Sequence, residues 1–264
     1  MRANVLSALL LAGALAHSAA AGRLLSAAER ARRVERDHRG HVIVERIPAI
    51  EAKRNYCVPA SVEMVLRYYG AKVNQKKLGR IFDSSKKTGT FIGDLDTHFG
   101  PDGEIKGFEC KKLYMMTVQE LVALTRACLG DADLTRRNRK AISGNVDGRS
   151  ADVLDRMNPA VVRRHTPAAR APLIDLLPKL LKEYIDSGRP LLWSVSMNLD
   201  PHDRTDGFHM RVLCGYREEN GKITGIVYLD PWTGRRRYKY VTALEAAAMT
   251  MSIMVVQPGD AADQ

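Results

Sequence analysis

Aromatic residues make up only 6% of the chain, too few to set a broad platform among its many basic residues. That excludes the stacking platform on which single-stranded nucleic acids are held. The formal net charge is +11. Without such a platform, that charge implies solubility or an anionic envelope polymer as partner, and no nucleic acid is expected. Cysteine is scarce as well, confined to Cys57, Cys110, Cys128 and Cys214. Their spacing matches no zinc knuckle or ribbon, so no metal site is expected. Nothing in the sequence calls for a nucleotide or organic cofactor. A chain of 264 residues buries enough surface to fold without covalent staples. Cys110 and Cys128 are nevertheless the candidates for a disulfide in an oxidising compartment. There is no internal repeat and no low-complexity tract.

Long apolar runs are also missing. The longest, Val5 to Leu15, is too short to span a bilayer. It follows Arg2 and precedes Ala19-Ala20-Ala21, small residues suited to cleavage before Gly22. This pattern predicts a signal peptide over 1–21, and a mature chain that is secreted or periplasmic with no transmembrane segment. An uncleaved anchor or a buried N-terminal helix is the alternative.

What remains reads as an ordinary globular chain, with 45% hydrophobic and 27% charged residues. Residues 22–45 are basic and predict a solvated arm, with an inhibitory pro-segment as the alternative. His41 to Ile50 reads as a strand. Val58, Val62, Val65, Leu66 and Tyr69 form one apolar stripe at helical spacing, and Pro59 fits only a first turn. The helix therefore begins at Cys57 and stops at Gly70. Asn74 predicts the cap of a second helix, and Thr117 with Glu120 the capping box of a third, reaching Leu129. Residues 131–170 hold many polar residues and predict an exposed insertion or lid. A helix over 173–187 follows, then strands at 191–195, 208–216, 223–229 and 252–256. Helices first and antiparallel strands later make the fold class α+β. Residues 46–258 form the main domain and 259–264 a tail.

The chemistry concentrates on three residues. A thiol attacks a carbonyl carbon as thiolate, and both a helix N-terminus and an imidazolium stabilise that anion. Cys57 has the helix terminus. A two-residue turn at Asn220-Gly221 would set His209 opposite Trp232, with Asp230 two residues away on the same face. A carboxylate on one imidazole nitrogen leaves the other to serve a nucleophile. A buried structural cysteine, a satisfied core histidine and a turn-forming aspartate are the bland alternatives. Around this trio, Trp232 is expected to pack over the edge of the site. His202, Asp203 and Asp206 read as a solvated loop, and Arg235-Arg236-Arg237 as a charged strand face.

Several stretches carry a resemblance to a known family. They are Asn55-Tyr56-Cys57-Val58-Pro59-Ala60-Ser61, Met64 to Gly70, Gly89-Thr90, Ile185 to Leu191, Phe208 to Tyr216 and Leu229-Asp230-Pro231-Trp232. In this order they resemble the bacteriocin-processing (double-glycine leader) peptidases, which are papain-like cysteine peptidases, over roughly residues 45 to 256. The resemblance implies a papain-like fold, Cys57 as nucleophile, His209 as general base and Asp230 as orienting acid. It also implies cleavage of a peptide or protein substrate through an acyl-enzyme. One position departs. Where the family usually has a glutamine whose amide donates to the oxyanion, this chain has Glu51, and an ionised carboxylate cannot donate. That departure leaves open a non-catalytic relative that binds a peptide or partner, or an acyltransferase that uses the same thioester chemistry.

Overall fold

The computed structural model describes residues 23–84, 89–90, 92–129, 153–203, 205–233 and 238–259. The expected signal peptide lies outside these residues. No helix among the described residues is long and apolar enough to cross a membrane. The fold is mixed, with helices packed around one antiparallel sheet.

The sheet forms around β5 (Phe208–Glu219), a twelve-residue strand buried from His209 to Tyr216. Along one side it pairs first with β4 (Leu191–Ser196) and then with β2 (His41–Val44). Its other side takes β6 (Lys222–Leu229), on which β7 (Lys239–Thr242) is laid. Beyond β4 come β8 (Thr250–Pro258) and the edge strand β3 (Phe108–Met115). All six residues of β4 are buried, as expected for a strand covered on both faces.

Helix α2 (Cys57–Tyr68) packs across β4, β5 and β8. The residues of its predicted apolar stripe are buried, but so is nearly every other residue of the helix, and Gly70 (φ 103°) ends it in the left-handed region that favours glycine. Helix α3 (Gln75–Ile81) is capped by Asn74, which accepts from the Lys77 amide at 3.0 Å. Helix α4 (Val118–Leu129) starts at the Thr117–Glu120 capping box. Among the described residues three further helices follow: α5 (Pro159–Ala169), α6 (Ala171–Leu180) and α7 (Ala243–Met249). A π-helical turn, Leu181–Ile185, carries α6 on toward Gly188.

Several expectations are corrected. Residues 23–45 are not a solvated arm. They hold a short helix, α1 (Ala27–Ala31), then β1 (Val34–Arg36), which pairs with β2 and joins the sheet. Two of their basic side chains lie over aromatic rings, Arg30 at 5.9 Å from the Tyr69 centroid and Arg33 at 5.2 Å from that of Tyr68. A long cationic stem covers apolar surface as readily as it meets water. The strand predicted over 41–50 stops at Val44, since Arg46 takes a positive φ of 64°.

The expected lid is also only part of the story. Residues 131–152 lie outside the described residues, but 153–170 are ordered and partly core. Val153, Leu154, Met157 and Val162 are buried there. The segment ends at Arg170, fully buried, which donates to the carbonyls of Ala247, Ala248 and Thr250 and to the Tyr114 hydroxyl. It thereby satisfies carbonyls that the end of α7 leaves over. The four cysteines are all free thiols, so Cys110 and Cys128 are not paired.

The N-terminal segment docks tightly. A Cβ at Gly188 (φ 71°) would lie 2.3 Å from the Arg30 carbonyl oxygen, whereas one at Gly207 (φ 91°) would meet nothing within 4 Å. Gly207→Ala is expected to cost the backbone strain alone, about 1–2 kcal/mol. Gly188→Ala is expected to cost at least about 1 kcal/mol more, because overpacking adds to the strain. Urea unfolding of both variants measures this. Equal losses would mean that residues 23–33 do not bear on Gly188.

Candidate active site

Cys57 is the first residue of α2. Two residues before it, Asn55 takes a positive φ of 60°, and this kink turns the chain into the helix. The N-cap residue Tyr56 makes no side-chain capping bond. The first amides of the helix are therefore left to serve an anion. One turn on, on the same helix face, Ser61 is fully buried and donates to the Met210 carbonyl at 3.0 Å. This bond holds the start of α2 against β5 beside His209.

The hairpin that brings Asp230 to His209 turns at Asn220 (φ 50°) and Gly221 (φ 74°), as the sequence predicts. Its register is less simple than a straight count. Glu219 pairs with Lys222, but Arg217 pairs with Gly225, so β6 carries one extra residue. A second irregularity, between Leu213 and Gly215 on β5, cancels it. Val212 then pairs with Leu229. One step beyond the ladder Arg211 faces Asp230, and His209 lies diagonal to it.

The resulting geometry is compact. His209 Nε2 lies 2.9 Å from Asp230 Oδ1, with both side chains sealed from solvent. The Trp232 amide donates to the same oxygen at 3.0 Å. The Trp232 ring lies over the imidazole, centroids 3.9 Å apart, while the residue stays 42% exposed. Burial works against ionisation of Asp230, but His209, Arg211 and the Trp232 amide outweigh it and hold the carboxyl well below its usual range. An ionised Asp230 can only accept, so Nε2 carries the proton and Nδ1 is the free nitrogen. Nδ1 is buried and makes no conventional hydrogen bond.

The group that interacts with this ring is the Cys57 thiol. Burial pushes the thiol up, but His209 and the amides of Met210 and Val58 outweigh it and bring its pKa below the ordinary value. Burial likewise opposes the imidazolium, and Asp230 and Cys57 reverse it, raising His209. Opposite shifts of two facing groups favour a thiolate–imidazolium pair.

Sequence reasoning missed the charges behind the triad. Asp230 Oδ2 accepts from Arg211 Nε at 3.2 Å and from Lys239 Nζ at 3.3 Å. Arg211 is fully buried and also bonded to Asp200. Its guanidinium lies 4.6 Å from the Tyr228 ring centroid. A period-two reading would have put Arg211 on the face of His209, and the hairpin would have put it opposite Asp230, but its partner Asp200 lies in a loop no pattern marks.

Glu51 lies in the loop that leads into Cys57 and is exposed. Its neighbourhood is tethered all the same. Gln75 spans the loop, with its amide donating to the Glu51 carbonyl at 2.8 Å and accepting from the Lys53 amide at 2.9 Å. The Ala52 amide donates to the Pro231 carbonyl at 2.8 Å. His202 is bound to the Tyr240 carbonyl at 3.0 Å. No group of three or more His, Cys, Asp or Glu among the described residues could hold a metal ion. Arg235-Arg236-Arg237 lie outside the described residues.

Two outcomes follow. Iodoacetamide at about pH 6 should modify Cys57 well before the other thiols, since reactivity tracks the thiolate. Burial holds Cys110 up at about 12 and raises Cys128. Peptide mapping by mass spectrometry reads this, and equal labelling of Cys57 and Cys110 would contradict it. Arg211→Met should lower the unfolding free energy by about 3–5 kcal/mol, because it leaves buried carboxylates without their shared cation. A loss under about 1 kcal/mol in denaturant unfolding would show that solvent reaches the pair.

A scan against protein-family models returns no match to this chain, and a search of curated proteins finds none similar to it.

Proposed function

We propose that this protein is a cysteine hydrolase of the papain-like type that cleaves a peptide or envelope-peptide substrate through an acyl-enzyme on Cys57. One observation carries the reading, a half-buried helix-start thiol set against a buried imidazole whose other nitrogen is held by an ionised carboxylate. A structural cysteine has no need of a neighbouring imidazole whose other nitrogen is held by a carboxylate. The expected signal peptide supports action in a periplasm or outside the cell.

In this reading the Cys57 thiolate attacks the scissile carbonyl. His209, protonated in the ion pair, gives its Nδ1 proton to the leaving amine. The acyl-enzyme is then hydrolysed by a water that the neutral Nδ1 deprotonates. Asp230 keeps the ring in the Nε2–H tautomer and orients it. Trp232 shields the imidazole–carboxylate bond from water, which strengthens it. The developing oxyanion is served by backbone amides at the start of α2. Glu51, exposed and at the end of a tethered loop, is not required as a donor.

Cys57→Ala is expected to abolish hydrolysis of a generic peptide or ester and to change stability by less than about 1 kcal/mol. His209→Ala is expected to lose at least about 10²-fold, the ordinary share of a general acid–base group. Asp230→Asn should lose no more than that. Glu51→Ala should stay within about tenfold of wild type, because loss of a true oxyanion donor costs on the order of 10²–10³. Steady-state rates with a fluorogenic peptide decide each case. If the wild type is inert with Cys57 reduced, the alternative is favoured, a peptidase-fold protein that binds its partner without cleaving it.

A further inference from the structure

The rim of the site on the α2 side carries unbalanced positive charge. Lys53 and Arg54 are exposed in the loop that leads into Cys57. Helix α3 lies along that loop at two points. Gln75 holds the backbone of Glu51 and Lys53, and at Gly79 the Tyr56 ring approaches so closely that a Cβ would sit 2.4 Å from its Cε1. Gln75 and Gly79 are four apart, so they share the helix face turned to the loop. Lys76 and Arg80, each one residue on, occupy the neighbouring flank and are exposed. Glu51 and Asp83 are the exposed carboxylates of the same two segments.

Some cations elsewhere on the molecule are matched. Arg23 pairs with Glu29, Arg36 with Asp186, Lys112 with Asp96, Arg163 with Glu245 and Lys182 with Glu218. Among the described residues, none of Lys53, Arg54, Lys76 and Arg80 has a carboxylate partner. Four unpaired cations beside a nucleophile raise the local concentration of anions and slow the approach of cations. Their reach is about 8–10 Å at ordinary ionic strength.

We infer that the substrate is an anionic peptide, one that carries carboxylates close to its scissile bond, and that Lys53, Arg54, Lys76 and Arg80 select it. The inference rests on the reading of Cys57 as the nucleophile, and it names the substrate class of that same site. Side-chain carboxylates and a free C-terminal carboxylate offer the rim the same chemistry.

The test uses two alkylating probes of nearly equal size, anionic iodoacetate and neutral iodoacetamide, on the full chain at low salt. The readout is the ratio of their rate constants at Cys57, divided by the ratio for N-acetylcysteine amide. The imidazolium of His209 contributes to this ratio in every variant, so the rim is isolated by comparison with Lys53→Gln/Arg54→Gln/Lys76→Gln/Arg80→Gln. The wild-type ratio is expected to exceed that of the quadruple variant by about tenfold, the low end of electrostatic steering. The gap should close in about 1 M salt, where screening leaves a reach of only about 3 Å. Equal ratios in the two proteins at low salt would overturn the inference while leaving Cys57 as nucleophile. If neither probe reacts with fully reduced Cys57, the nucleophile reading fails and this inference with it.

Discussion

Arg211, locked between Asp200 and Asp230, is the interaction on which the site depends. A guanidinium with no solvent exposure is stable only when its donors are matched, and here two carboxylates take them. Lys239 adds a second cation to Asp230, so two positive and two negative groups balance inside the fold. That balance lets a carboxylate remain ionised beneath the surface. An ionised Asp230 in turn holds the His209 ring by Nε2 and leaves Nδ1 for the thiol.

The other half of the arrangement is mechanical. Cys57 can meet His209 only if the start of α2 is fixed against β5, and the buried Ser61–Met210 bond does this one helical turn from the thiol. The loop before Cys57 is tied at Ala52 to Pro231, next to Asp230. Each member of the triad is thus fixed by a neighbour on a different element, as a preorganised site requires.

Much of this was legible in the sequence, for identifiable reasons. The boundaries of α2, α3 and α4 follow from local rules: an apolar stripe, proline in the first turn, Asn74 and Thr117 as caps, glycine at the end. The His209–Asp230 pairing was legible because Asn220-Gly221 specifies a tight turn. It survived two irregularities only because they fall on opposite strands and cancel. What stayed hidden depends on long-range packing. Strand β3 reads as charged, with Glu109, Lys111 and Lys112, because it lies at a sheet edge where charge is common. Basic composition suggested that residues 22–45 were solvated, and polar composition that 131–170 were. In fact Arg30, Arg33 and Arg170 lie against tyrosines or cap carbonyls, which no local pattern reports. Asp200 could not be singled out from its neighbours Asp203 and Asp206 without knowing where Arg211 points.

The central claim is that Cys57 forms a covalent acyl intermediate, assisted by His209. The most direct measurement is rapid-quench mass spectrometry of the full chain mixed with p-nitrophenyl acetate near neutral pH. The account predicts a burst of p-nitrophenol of about one equivalent per chain, as acyl-enzyme accumulation gives. An acetyl group should map to Cys57, and the burst should collapse in His209→Ala. Acetylation spread over lysines, or absent from a fully reduced Cys57, would contradict it.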